Sequence, residues 1–268
     1  MSTPAVAPRY LEIGKKVAGK PSLVFLHGIG GRASGWDGVM QRCASNGWHC
    51  LAWDMPGYGD SPSVKPYDFA HLARALGDML EAAHINSSVL IGHSMGGMVA
   101  QQYMADSGVG VRAQVLIATT AAFGNGTGEF QQRFLSQRLA PLERGETLLQ
   151  IAQKLVPSML TPLASSEVRQ AAVDSMVSIA PEAYRDALNA LVLFDQRGAL
   201  NRITIPTLCL AAELDVTAPP QVMSRMSEKI STASYVCLPG ANHLLPFEQP
   251  EQLAQVVLNF LEEKLKDE

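Results

Sequence analysis

Short apolar segments alternate with longer amphipathic stretches along most of this chain. The short segments are apolar at almost every position, which is typical of parallel strands that are covered on both faces. In the longer stretches apolar residues recur three or four positions apart, as Phe69, Leu72, Leu76 and Leu80 do, which predicts helices with one buried face. This alternation predicts an α/β fold with a mostly parallel central sheet and helices on both of its faces.

The pattern places the elements of this α/β layer as follows. The predicted strands are residues 23–26, 50–53, 89–91, 115–118, 208–212 and 235–238. The predicted helices are residues 34–45, 69–83, 95–106, 219–229 and about 251–264.

The alternation is interrupted in the middle of the chain. Residues 120–195 contain no predicted strand: a flexible, glycine-rich stretch is followed by helices punctuated by prolines. We interpret residues 120–195 as a helical cap, or lid, inserted into an α/β core made of residues 1–119 and 196–268. The predicted cap helices are residues 130–139, 146–154, 166–179 and 181–194.

The composition excludes several classes of protein. The 268 residues include 21 basic and 25 acidic side chains, a net charge of −4, and the basic residues are scattered, so binding to nucleic acid or to an acidic membrane is not expected. No apolar run approaches the ~20 residues that span a bilayer, and the first residues lack the apolar core of a secretory signal. We expect a soluble, cytoplasmic enzyme that acts on a small molecule, as a monomer or a homo-oligomer.

The four cysteines, Cys43, Cys50, Cys209 and Cys237, form no CxxC pair and have no histidine cluster beside them. Buried thiols in a reducing compartment are the interpretation that this spacing favours over disulfides or a zinc site. No metal and no organic cofactor is expected.

The stretch GHSMGG, residues 92–97, carries the clearest chemical signal. It contains G-x-S-x-G centred on Ser94, with an apolar segment before it and a helix after it, which is the context that a nucleophilic serine needs. Gly92 and Gly96 would relieve collisions at a sharp strand-to-helix turn, and the helix N-terminus would offer free N–H groups to a developing oxyanion. Taken alone, the stretch is also compatible with an ordinary glycine-rich turn and a capping serine.

Two further motifs accompany it. LHGIGG (residues 26–31) and DMPGYGDS (residues 54–61) precede GHSMGG in the order and spacing found in one family. On these three motifs the chain resembles serine hydrolases of the α/β-hydrolase fold, over nearly all of its length. The resemblance implies a triad in the chain order Ser, acid, His.

His243 is the candidate general base, since a serine hydroxyl is a weak nucleophile that needs one. It follows a predicted strand and a tight turn, and residues 240–243 match the G-x-x-H element of the family. Of the other histidines, His27 is expected to shape the HGIGG loop and His93 to point away from the serine. His49, His71 and His84 are expected to be solvated.

Asp215 is the candidate acid that orients the histidine. It follows the predicted strand 208–212 and resembles the family's strand-G-x-x-D-x-x-x-P-P pattern. Ala212 and Ala218 depart from that pattern, which leaves Glu213 as an alternative. The end of strand 115–118, where some members of the family carry the acid, has no carboxylate here.

An oxyanion hole needs two N–H donors that converge on one point. The fold implies Met95, directly after the nucleophile, and Ile29 in the HGIGG loop, with Gly28 allowing close approach of the substrate. The side chains of Ile29 and Met95 are expected to line the acyl pocket.

The substrate is less well indicated. Residues 176–184, 195–200 and 203–207 resemble 3-oxoadipate enol-lactonases, which implies a small, acidic lactone. Arg133, Arg138 and Arg144 are candidate anchors for such an anion, although arginines on solvated helix faces are common. Trp36 is a candidate pocket residue or a packing residue.

We therefore predict hydrolysis of a small carboxylic ester or enol-lactone through an acyl-enzyme formed on Ser94. The alternatives are a C–C bond hydrolase of ring-cleavage products, a general carboxylesterase, a perhydrolase, and a non-enzymatic ligand receptor of the same fold. A serine at position 94 disfavours haloalkane dehalogenases and epoxide hydrolases, which use aspartate.

Overall fold

The computed structural model describes residues 7–124 and 128–266. Its centre is one sheet of seven strands in the order β1-β3-β2-β4-β5-β6-β7, in which β1 runs antiparallel to β3 and every other pair is parallel. This confirms the predicted α/β fold. The strands are β1 (Tyr10–Ile13), β2 (Ser22–Leu26), β3 (Cys50–Trp53), β4 (Ser88–His93), β5 (Val111–Ile117), β6 (Thr207–Ala212) and β7 (Ala233–Leu238).

All six predicted strands are present, and β5 begins four residues earlier than expected. Its first half contains Arg112 and Gln114, which interrupt the apolar pattern. Gln114 is nevertheless fully buried, and its side-chain N–H donates to the Thr207 hydroxyl on β6 at 3.2 Å. A buried polar side chain that bonds to a neighbouring strand therefore hid half of this strand from a search for apolar runs.

The edge strand β1 was not predicted, because it is only four residues long, is mostly exposed and has no apolar pattern. His49 helps to attach it to the sheet. One ring nitrogen of His49 is 2.8 Å from the Ser22 hydroxyl and the other is 2.7 Å from the Glu12 carboxylate on β1. The expectation of a solvated His49 is wrong, since the side chain is buried between these two partners.

Helices cover both faces of the sheet. They are α1 (Asp37–Ser45), α2 (Phe69–Ala82), α3 (Met95–Asp106), α4 (Glu129–Glu143), α5 (Leu148–Met159), α6 (Ser166–Val177), α7 (Pro181–Leu191), α8 (Pro220–Ser227), α9 (Leu245–Glu248) and α10 (Pro250–Lys264). The predicted helix 34–45 begins with a 3₁₀ turn, Ala33–Trp36. The short α9 was not predicted.

Two apolar cores lie on opposite sides of the sheet. Leu23 and Phe25 point into one core with residues of α1 and α10, while Val24 and Leu26 point into the other with residues of α2, α3 and α8. The second core continues into the helices α5–α7. The central strands are thus covered on both faces, as their continuous apolar runs required.

Helices α4–α7 all come from residues 120–195. The two ends of this segment meet at its base: Ala122 forms an isolated antiparallel bridge with Asp195, and the N–H of Phe123 donates to the carbonyl of Phe194 at 3.0 Å. Pro141 and Pro157 were expected to end helices, but they lie inside α4 and α5. Part of the glycine-rich stretch expected to be flexible, residues 125–127, lies outside the described residues.

Cys43, Cys50 and Cys209 are buried, Cys237 is partly buried, and none forms a disulfide. Burial raises the pKa of the Cys209 thiol to about 12, which makes it a poor nucleophile. No helix within residues 7–124 and 128–266 is long and apolar enough to cross a bilayer.

Candidate active site

The candidate residues lie where parallel strands end. Ser94 follows β4 directly, the HGIGG loop follows β2, and Asp215 and His243 lie in the loops after β6 and β7. Carboxyl ends of parallel strands share one edge of the sheet, and that edge is where α/β proteins bind ligands. The topology therefore gathers groups that are far apart in the sequence.

Ser94 sits on a strained turn between β4 and α3. Its φ of 51° and ψ of −120° lie outside the regions that residues with side chains prefer. Main-chain bonds hold it there: its N–H donates to the Ile117 carbonyl at 2.9 Å, and the Thr119 hydroxyl donates to its carbonyl at 2.7 Å. A Cβ at Gly96 would collide with the carbonyl oxygen of Leu26, so glycine is required there.

Asp215 and His243 form a buried pair. The Nδ1 atom of His243 lies 2.7 Å from Oδ2 of Asp215, while Oδ1 accepts the N–H groups of Thr217 at 2.7 Å and Ala218 at 3.0 Å. Burial by itself would raise the pKa of Asp215, but the bond to His243 and these backbone donors outweigh it and lower the pKa. An ionised Asp215 keeps the proton on Nδ1, which leaves Nε2 free to accept one.

Glu213, the alternative acid, is separated from this pair. It is exposed, and its carboxylate accepts the N–H of Gly240 at 2.8 Å. Asp215 is the carboxylate that contacts the histidine.

The Ser94 side chain opens into the same cavity as His243. In the part of the chain that the structure describes, its Oγ has no hydrogen-bond partner. Contacts between a nucleophile and its base are often long without substrate and shorten when a substrate binds.

Two main-chain N–H groups near Ser94 are unpaired. Within the described ranges, neither the N–H of Ile29 nor that of Met95 donates a hydrogen bond, and Met95 is the first residue of α3. Gly28 lets the Ile29 loop approach closely, since a Cβ there would lie 2.8 Å from the Cβ of Ser94. The Ile29 side chain lines the cavity as expected, but that of Met95 packs in the core instead, because the helix turns it away from the opening.

Two neutral histidines brace the site. Burial lowers the pKa of His27 to about 4 and that of His93 to about 3. His27 donates from Nδ1 to the Gly28 carbonyl at 2.8 Å and accepts the N–H of Met55 on Nε2 at 3.0 Å, which joins the HGIGG loop to the DMPGYGDS loop. It shapes its loop, as expected.

His93 has a contact that sequence reasoning missed. Its Nε2 donates to the main-chain carbonyl of His243 at 2.8 Å, and the two imidazole rings lie with their centroids 5.0 Å apart. In the sequence, only the position of His93 beside Ser94 could have suggested a role for it at the site. His93 therefore fixes the backbone of the residue that carries the candidate base.

A cavity of about 380 Å³ opens above Ser94. Its walls come from the strand-end loops and from helices α4–α7, and they are mostly apolar. Trp36 combines both of its expected roles, because it lines the cavity and also packs against Phe25 with ring centroids 5.2 Å apart.

The three candidate arginines have different environments. Arg138 lines the cavity, with its guanidinium 5.4 Å from the centre of the Phe134 ring. Arg133 is exposed and outside the cavity lining, and Arg144 is paired with Glu146 at 3.0 Å, so neither can serve as the expected anchor inside the cavity. Sequence reasoning did not name Tyr184 as a site residue, although this cavity residue lies in the stretch 176–184 that resembles enol-lactonases.

No group of three or more His, Cys, Asp or Glu side chains is placed to hold a metal ion among the described residues. The polar groups around Ser94 include the hydroxyl, imidazole, carboxylate and backbone N–H groups described above. They are the groups that acyl transfer through a serine requires.

Residues 23–256 match the sequence model of the alpha/beta hydrolase family. The chain therefore belongs to the alpha/beta hydrolase family. Among curated relatives it is similar to the pimeloyl-(acyl-carrier protein) methyl ester esterase of Neisseria meningitidis serogroup B, with 27% identity over 247 residues that cover 90% of this chain and 93% of the relative.

Solved structures share the fold. A thermophilic esterase from Thermogutta terrifontis has a TM-score of 0.84 and 21% identity, with 95% of this chain and 93% of that chain covered. The enol-lactonase from Burkholderia xenovorans LB400 has a TM-score of 0.84 and 22% identity, with 94% and 95% covered. At these identities the two structures support the common fold.

Proposed function

We propose that the protein is a serine hydrolase that cleaves a carboxylic ester or lactone through an acyl-enzyme intermediate. Ser94 is the nucleophile, His243 the general base and acid, and Asp215 the residue that orients His243. The observation that carries the proposal is the buried Asp215–His243 pair beside a cavity into which Ser94 opens from a strained turn. The Neisseria relative is named a methyl ester esterase, which agrees with this chemistry.

The first half-reaction forms the acyl-enzyme. Ser94 Oγ attacks the carbonyl carbon of the substrate while its proton passes to Nε2 of His243, and Asp215 stabilises the imidazolium. The carbonyl electron pair moves onto oxygen, where the N–H groups of Ile29 and Met95 bind it. When the tetrahedral intermediate collapses, the alcohol or enol oxygen leaves with the proton from His243.

The second half-reaction releases the acid. A water molecule gives its proton to Nε2 of His243 and attacks the acyl carbon, and the same two N–H groups hold the new oxyanion. Collapse returns the proton to Ser94 Oγ, which regenerates the enzyme. Because both donors belong to the main chain, they keep their geometry throughout the reaction.

We propose residues 120–195 as a cap over a core made of residues 1–119 and 196–268. The cap and the strand-end loops together line the cavity, so the substrate would lie between them. Gly28, Trp36 and Arg138 are the candidate substrate contacts that this arrangement supports. Arg133 is not a candidate substrate contact, since it lies outside the cavity lining.

The test is hydrolysis of a short p-nitrophenyl ester by purified wild type and by Ser94→Ala. We expect kcat/KM to fall by ~10⁴-fold or more in Ser94→Ala, since the nucleophile and its base act as a unit. Ser136→Ala is the matched control, because Ser136 is exposed on α4 and outside the cavity lining, and it should retain wild-type turnover. Wild-type turnover by Ser94→Ala would refute the proposal.

A further inference from the structure

The charge inside the cavity is unbalanced. Its lining includes two arginines, Arg32 and Arg138, and no aspartate or glutamate among the described residues. Arg32 lies 3.9 Å from the carboxylate of Asp54, so its charge is compensated. Arg138 has no such carboxylate partner in the part of the chain that the structure describes. The cavity thus contains one uncompensated positive charge in a protein whose net charge is −4.

Arg138 is held in place by an apolar neighbour. Its guanidinium lies over the ring of Phe134, one helical turn earlier on α4. The cation–π contact orients the planar group without using its N–H donors. Those donors remain available to a ligand in the cavity.

Tyr184 adds a second polar group to the same part of the cavity. Its side chain is 1% exposed, and within residues 7–124 and 128–266 its hydroxyl has no hydrogen-bond partner. Burial raises the pKa of this hydroxyl, and the nearby charge of Arg138 opposes that rise. Because Tyr184 lines the cavity, this hydroxyl is free to donate its proton to a ligand atom that accepts it.

We propose that Arg138 and Tyr184 form a carboxylate subsite, and that the esters or lactones cleaved at Ser94 therefore carry a free carboxylate. This inference rests on the proposed function. The planar guanidinium can donate two parallel N–H bonds to the two oxygens of a carboxylate, and the tyrosine hydroxyl can donate a third.

The rest of the cavity determines what can join the reacting carbonyl group of the substrate to its bound carboxylate. Side chains such as Leu155, Met176 and Leu188 line it without offering a strong polar group. An apolar linker therefore fits between the carbonyl at Ser94 and the carboxylate at Arg138. The substrate class is a monoester of a dicarboxylic acid, or a lactone that bears an acid side chain.

The experiment compares two series of p-nitrophenyl esters. One series consists of half-esters of straight-chain dicarboxylic acids, and the other of neutral esters of monocarboxylic acids with the same chain lengths. We expect kcat/KM to favour the half-ester at one chain length or more. In Arg138→Gln that preference should fall by ~10- to 100-fold, the range for a hydrogen bond between charged groups. Hydrolysis of the neutral esters by the same variant supplies the reference against which this fall is measured.

Two further variants separate the subsite from general effects. Tyr184→Phe keeps the ring that packs in the core and removes one donor, so it should lower the preference by ~5-fold, the value for one hydrogen bond. Arg133→Gln removes an exposed arginine of the same helix and should leave the preference unchanged.

The outcomes for this inference and for the proposed function are distinct. A wild-type enzyme that hydrolyses neutral esters at least as well as half-esters at every chain length would overturn the carboxylate subsite and leave the proposed function intact. A preference that survives in Arg138→Gln would also overturn it. Failure to hydrolyse any ester of either series, by contrast, would count against the proposed function itself.

Discussion

The strand-end loops and the cap hold their functional groups in different ways. In the loops, hydrogen bonds with main-chain groups fix Ser94 and Asp215, and the two N–H donors belong to the main chain itself. In the cap, α4–α7 present side chains to the cavity, and Arg138 and Tyr184 are among them, while the Ser158 hydroxyl donates to the Leu155 carbonyl. The reaction thus depends on backbone geometry, and the choice of substrate on side chains that can change without altering that geometry.

The two regions meet next to the candidate base. The N–H of Leu244 donates to the Met159 carbonyl at 3.1 Å, and the side-chain amide of Asn242 donates to the Leu160 carbonyl at 3.1 Å. The Ser175 hydroxyl donates to the Gly30 carbonyl at 3.0 Å. These contacts place the end of α5 and the helix α6 against the loops that carry His243 and Ile29.

The largest predicted effect belongs to the strand-end loops. Asp215→Asn should lower kcat by ~10⁴-fold, because the amide no longer holds the His243 ring with its proton on Nδ1. Steady-state kinetics on a p-nitrophenyl ester would measure it.

Glu213→Gln is the matched control, since Glu213 is exposed and its carboxylate accepts the N–H of Gly240 rather than contacting His243. It should keep wild-type kcat. A large loss in Glu213→Gln with little loss in Asp215→Asn would reverse the assignment of the acid.

His93→Phe tests a contact behind the site. The variant removes the donor to the His243 carbonyl, and the resulting displacement of the ring should lower kcat by ~10- to 100-fold with little change in KM. His93→Gln keeps an N–H donor of similar reach and should recover part of the loss. If glutamine were no better than phenylalanine, packing rather than the hydrogen bond would be the role of His93.

The buried histidines should also make the loop region sensitive to acid. Their folded pKa values, about 4 for His27 and about 3 for His93, lie below the unfolded value of ~6.5. The unfolded chain therefore binds protons that the folded chain does not bind. The stability that these two histidines contribute is fully present above pH ~6.5 and declines as the pH falls towards their folded pKa values. Each histidine contributes a slope of ~1.4 kcal/mol per pH unit within that window.

Urea unfolding of wild type and His93→Gln between pH 7 and pH 5 would measure these slopes. The variant should lose roughly half of the two-histidine slope. Equal slopes in the two proteins would show that His93 is not kept neutral by the fold.

The smallest predicted effect lies in the cap. Phe134→Leu removes the ring beneath Arg138, and the loss of a cation–π contact should lower kcat/KM for carboxylate-bearing esters by ~2- to 5-fold. Neutral esters should be little affected. A loss of equal size on both kinds of ester would mean that Phe134 shapes the cavity rather than orienting Arg138.

The sequence indicated the strand-end loops far better than the cap. GHSMGG could be recognised because the turn at Ser94 requires glycines at fixed positions, and the central strands because both of their faces are buried. Asp215 and His243 could be placed because the fold fixes the order of its loops. These features depend on backbone geometry, which restricts the residue types that a position accepts.

The features that were missed depend on side chains or on tertiary contacts. Met95 was expected to line the pocket, but only the direction of its Cβ in the folded helix shows that it packs in the core. His49 was expected to be solvated, and its partners Ser22 and Glu12 lie on other strands. Nothing in the sequence distinguished Arg138 from Arg133, since both are arginines on one predicted helix.

The most direct test of the central claim is covalent labelling of the protein with a fluorophosphonate, followed by mapping of the modified peptide by mass spectrometry. We predict one label for each chain, on Ser94, a loss of esterase activity in proportion to labelling, and many turnovers of ester per site before labelling. Ser94→Ala should not be labelled. Activity that survives complete labelling, modification of another residue, or a single turnover as in a ligand receptor would contradict the account.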